Sequence, residues 1–151
     1  MENTDLSIEV FRLDDIPLIY SIIEQMKMIS IIDKHLPVHG LHKGLSNGQL
    51  IAVWICHILT TSNHTKVHVQ QWSISNRKLI DKLTGVSIRD AEFDDTRLSI
   101  ILKRLSDENV MRGIECDLFQ DNVYLYDIET VNELSKEECP PEIISAAHID
   151  T

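Results

Sequence analysis

Apolar residues recur along most of this chain at the three- and four-residue spacing of helices, and only near its two ends do they alternate or run together. Residues 1–13 read as an extended segment in which Ile8, Val10, Phe11 and Leu13 form a short strand. Asp14 or Asp15 then caps a helix, with Pro17 tolerated in its first turn and Ile16, Ile19, Ile22, Ile23 and Met26 on one face. Ser30 caps a second, short helix running to about Leu36, where Pro37 stops it, and Gly40 and Gly44 mark the loop beyond. Ser46 and Gln49 are spaced as a capping box. The helix they open, roughly Asn47–Thr61, is apolar round most of its circumference, which predicts a central helix packed on several sides.

The second half continues in the same manner. Lys66 to Trp72 predicts a short helix with Val69 and Trp72 inward. Ser75 caps another over Asn76–Thr84, with Leu79, Ile80 and Leu83 inward and Gly85 as its stop. Asp94 or Asp95 opens a helix carrying Leu98, Ile101, Leu102 and Leu105, and Asp107 opens one carrying Val110, Met111, Ile114 and Leu118. From Phe119 to Leu134 the pattern fits helix or strand. Ser135–Glu142 is acidic and proline-bearing, a linker by composition, and Ile143–Thr151 has the apolar run of an entering buried strand. The expected fold class is therefore mainly α: an N-terminal extended segment (1–13), a multi-helix domain (14–118), a connecting acidic segment (119–142) and a first strand (143–151) of something further. A strand that starts a sheet without a partner leaves its backbone groups unpaired, so this stretch is expected to be either a loose tail or the front part of something longer.

Composition changes this picture little, and charge changes it more. Only 5 Gly and 4 Pro among 151 residues suit helices over a turn-rich β fold. The acidic first fifteen residues contain no apolar run of the kind a secretory signal needs, and Leu50–Ile55 is too short to span a bilayer, so no membrane partner is expected. Three cysteines form no framework, which makes a cytoplasmic setting the default. The net charge of −10 argues against nucleic acid at first sight, but it is unevenly placed: −3 over residues 1–59, +3 over 60–105 and −10 over 106–151.

Few residues suggest chemistry. His35, His39 and His42 invite a zinc site, yet their spacing matches no common ligand pattern, and surface histidines are the commoner outcome. Phosphate loops, nucleophile elbows and Cys/His nucleophile patterns are missing from the sequence. Lys66, Arg77, Lys78, Lys82 and Arg89, with His64 and His68, surround two short helices and their turn, an arrangement compatible with a helix-turn-helix on a DNA backbone. A solvated face is the usual role of such charges. A lone Asp such as Asp150 is normally just solvated, but at the end of the expected terminal strand its carboxylate would suit Mg²⁺ for phosphoryl transfer once other acids join it.

Three stretches together resemble the N-terminal part of insertion-sequence transposases of the DDE class, whose catalytic core is RNase H-like. His42–Val53, with Lys43, Ser46, Gly48 and Gln49, is similar to that family's entry to its main N-terminal helix. Asp94–Leu105, with Asp95, Arg97 and Leu98, is similar to a later helix, and Ala147-His148-Ile149-Asp150-Thr151 to the strand bearing the first catalytic Asp. The resemblance implies a helical domain that binds transposon-end DNA or mediates assembly, followed by the first strand of a truncated RNase H-like α/β core. It implies Asp150 as the first acid and metal ligand of an incomplete triad, with Mg²⁺ acting only in a complete relative and no cofactor in this fragment. Without the second Asp and the Glu, no DNA cleavage is expected from this chain alone. A helical protein–protein interaction module, pairing with itself or with an intact transposase and inhibiting it, is the expectation from a different class.

Overall fold

The computed structural model describes residues 15–40 and 42–125, with side chains to residue 122. Its described residues form seven helices and no strand: α1 Ile16–Gln25, α2 Met28–His35, α3 Asn47–Thr61, α4 Lys66–Ser75, α5 Arg77–Thr84, α6 Asp95–Leu105 and α7 Glu108–Leu125. The mainly helical expectation holds across this span. The expected strands at 1–13 and 143–151, the linker and Asp150 lie outside the described residues.

Helix α3 is the central element because its entrance is determined residue by residue. The Ser46 hydroxyl accepts from the Gln49 amide N–H at 3.1 Å, and the Gln49 side chain accepts from the Ser46 amide N–H at 3.2 Å, completing the capping box. Gln49 also donates to the Thr84 carbonyl at 3.0 Å, so the same side chain ties down the end of α5. Asn47 donates to the Leu36 carbonyl and the Gly48 amide to Asp33, each at 2.7 Å, fixing α2 across the start of α3. The contact there is close: a Cβ on Gly48 would sit 2.2 Å from the Ile29 carbonyl oxygen. Beyond this corner Leu50, Ala52, Val53 and Cys56 are buried against α1, α2 and α4, as the nearly continuous apolar surface predicts.

Three details depart from the expected pattern. In α1 the buried face is Ile16, Tyr20 and Ile23, while Ile22 is exposed and Ile19 only half-buried. Spacings of four and seven keep those three residues on the side facing α3, and Tyr20 supplies the bulk. Helix α2 starts at Met28, two residues before Ser30, because Lys27 takes a left-handed conformation (φ 55°) that breaks the chain from α1. Ser30 instead bonds back to the Lys27 carbonyl at 2.8 Å. Ser75 likewise belongs to α4, its hydroxyl bonded to the Gln71 carbonyl, and Asn76 is the only residue between α4 and α5.

Asp94 caps α6 by accepting from the Arg97 amide at 2.6 Å, and Asp107 accepts from the Asn109 and Val110 amides at the start of α7. Leu98 and Ile101 are buried, whereas Leu102 and Met111 are exposed. Helix α7 runs on to Leu125, so the ambiguous stretch after Phe119 begins as helix. It is clamped to α2 by Asp117, which accepts from Lys34 at 2.8 Å and bonds His35 at 2.7 Å. Gly113 makes room for the His35 ring, which lies 2.6 Å from where a Cβ would stand. No described helix is long and apolar enough to cross a membrane.

Candidate nucleic-acid interface

The five basic residues singled out in the sequence do not form one free patch. Lys66, at the start of α4, sits 2.9 Å from Asp95 and donates to Ser99 at 2.6 Å, bracing α4 against α6. Arg77 pairs with Asp90, and Arg89 donates to Glu92 at 3.0 Å. Lys78 and Lys82 are exposed along α5. At least three of the five charges are therefore already met by carboxylates, which weakens their pull on a phosphate backbone. The α4–α5 junction also has one residue, Asn76, where a DNA-binding helix-turn-helix has a turn of about three or four.

A different constellation lies where the 42–45 loop meets the segment before α6. Glu92 has no exposed surface, an uncommon position for a carboxylate, and such a group must be paired. It is met by the Arg97 guanidinium, by Arg89 and by the Leu45 amide N–H at 3.1 Å. Arg97 also donates to the Leu45 carbonyl at 2.7 Å. Burial, and then the nearby Arg89 charge, lower the pKa of Arg97 from its ordinary value. Gly44 adopts φ 120°, and a Cβ there would stand 2.7 Å from both Glu92 oxygens, so only glycine lets the loop close over the carboxylate. The His42 Nε2 atom lies 3.0 Å from the Leu45 carbonyl and 3.1 Å from an Arg97 nitrogen. A neutral ring can donate to the first or accept from the second, and the tautomer decides which.

Sequence reasoning passed over Glu92 because a single Glu in a charged stretch resembles any solvated acid. The available signal was its setting: an acid flanked by Arg89 and Arg97 and next to the aromatic Phe93. Of the three histidines weighed as zinc ligands, His35 stands apart, bonded to Asp117, while His42 faces Arg97. Among the described residues no group of three or more His, Cys, Asp or Glu side chains is placed to hold a metal ion.

A second surface feature is apolar. A groove of about 660 Å³ opens between α3, α4 and α6, lined by Ile51, Trp54, Ile58, Val67, Leu102 and Leu105 among others. Val67, 75% exposed, stands at its edge.

These features define a small multi-helix domain in which a buried ionic network ties the loop entering the central helix to α6. The chain belongs to a family described as a domain of unknown function, DUF4277, which it matches over residues 8–115. The matched span takes in α1 to α6 and the first part of α7. No curated protein and no solved structure matches the chain.

Proposed function

We propose that this domain is the N-terminal part of an insertion-sequence transposase, where it binds transposon-end DNA or mediates assembly and carries no catalysis by itself. The supporting observation is that two stretches which resemble transposases, His42–Val53 and Asp94–Leu105, meet in one buried network. Arg97 from the second bonds the Leu45 carbonyl of the first. Gly44 lies over the acid that Arg97 neutralises. The two stretches thus belong to one folded unit. Asp150 and any Mg²⁺ it holds would act only with further acids.

Fluorescence anisotropy with the terminal repeats of a related element tests the DNA-binding function. Binding that weakens steeply with salt is expected, and no binding at low salt would remove it.

The apolar groove favours assembly as a second function. A cleft walled by Trp54, Leu102 and Val67 suits the apolar face of another copy of the chain. Sedimentation should then show concentration-dependent dimers that a Leu102→Glu substitution abolishes, and a monomer at all concentrations would exclude self-assembly.

A further inference from the structure

Between the 37–42 loop and α6 lies a smaller open cleft of about 180 Å³. Its lining brings together His39, His42, Arg97 and Arg104 beside Asn47 and Ile101, and no carboxylate lines it. Arginine offers donors only, and both histidine rings can donate. Convergent donors match an oxyanion and repel a cation, and the nearest acid, Glu92, stands behind the lining, bonded to Arg97 and 4.0 Å from the His42 ring.

Charge accounting points the same way. The single carboxylate of Glu92, behind the cleft, faces two guanidinium groups, Arg89 and Arg97, so that cluster keeps an excess positive charge. Arg104 donates to the Pro37 carbonyl at 3.3 Å and has no carboxylate partner among the described residues. Over residues 15–125 the chain has 12 basic and 13 acidic side chains, so the domain itself is close to neutral and a local basic cleft is not swamped. At about 180 Å³ the cleft has room for one tetrahedral phosphate group, and its open side leaves the rest of a ligand in solvent.

We propose that this cleft is a phosphate-binding site and that it receives one backbone phosphate of DNA. The phosphate chemistry stands on the cleft alone, while its assignment to DNA rests on the function proposed above. Arg104 and His39 contact the phosphate from the rim. Arg97, held in place by Glu92 and Leu45, presents a guanidinium that needs no reordering on binding. In this arrangement the DNA contact lies on the α6 side of the domain, away from the α5 lysines.

The full chain is titrated with inorganic phosphate at constant ionic strength while the ring resonances of His39 and His42 are followed. Saturable shifts are expected, and Arg104→Ala should weaken them by about tenfold, the loss of one charge-assisted hydrogen-bonded partner. Their absence would overturn the site. The second arm measures duplex DNA binding against salt. Arg104→Ala should weaken all sequences alike and lower the salt slope by about one, His39→Gln should weaken binding without that slope change, and Lys82→Ala should leave the slope unaltered. Arg104→Lys should restore the slope, and an unchanged urea midpoint for each variant excludes unfolding as the cause. DNA binding that ignores Arg104 and His39 would overturn the cleft while leaving the DNA function standing. Saturable, Arg104-dependent phosphate binding without DNA binding would make free phosphate the ligand and overturn the DNA assignment.

Discussion

The carboxylate of Glu92, wholly buried, is held by the guanidinium of Arg97 five residues further on, and the pair closes against the Leu45 backbone forty-seven residues before Glu92. An ion pair in this position is retained only if its remaining hydrogen-bonding capacity is met. Here Arg89, the Leu45 amide and the Leu45 carbonyl meet it. Glu92→Ala strands the part-buried Arg97 guanidinium beside a cavity, while the exposed Arg89 turns to water, and should cost about 3 kcal/mol in urea denaturation. Glu92 and Arg97 replaced together by apolar residues should cost less than the two single changes summed. A loss below about 1 kcal/mol for Glu92→Ala would mean that the network does not hold the loop.

Gly48 and Gly40 should respond in opposite ways to the same substitution. A methyl at Gly48 meets the Ile29 carbonyl oxygen, a backbone atom that cannot swing aside, so Gly48→Ala should destabilise by about 1–3 kcal/mol as α2 is forced off α3. At Gly40 nothing lies within 4 Å and φ is not positive, so Gly40→Ala should be neutral or stabilise by up to about 1 kcal/mol. Thermal midpoints of the two variants give the comparison directly.

Acid should loosen α7 from α2 through Asp117. Burial alone would raise its pKa, but hydrogen bonds from Lys34 and His35, and their charge, outweigh this and hold it below the ordinary carboxylate value. A carboxyl with a lowered folded pKa stabilises the native state above its unfolded pKa of about 3.9 and loses that contribution as pH falls through the folded value. Asp117→Asn should therefore be less stable than the parent at neutral pH, with the gap closing below about pH 4. A gap that stays constant from pH 7 to pH 3 would count against the clamp.

Trp54 is almost wholly buried and also forms a wall of the apolar groove. Trp54→Ala should cost about 3–5 kcal/mol by chemical denaturation. A cost under about 1 kcal/mol would mean that the groove relaxes into the space and that α3 is not the centre of the core.

Local chemistry makes much of this domain legible in its sequence. The capping box of Ser46 and Gln49, the Asp94 cap and the left-handed Gly85 act within a few residues, and all three stand where the pattern puts them. The nearly uniform apolar surface of α3 likewise announces a helix packed on several sides, since no other environment tolerates it. Helix phase was less legible. Ile22 and Leu102 fit an apolar stripe but lie exposed, because which part of a broad stripe is buried depends on where the neighbouring helix lies.

By itself, then, the sequence determined a helical domain, its main caps and the residues of its central helix, because those depend on contacts three or four positions apart. Only the tertiary structure decided that Lys66, Arg77 and Arg89 are engaged by Asp95, Asp90 and Glu92. It also decided that Glu92 is buried, and that His39, His42, Arg97 and Arg104 share one cleft. The reason is physical. A charge written in a sequence has no partner until the fold brings one within a few ångströms, and the partners here stand as far as ninety-four residues apart.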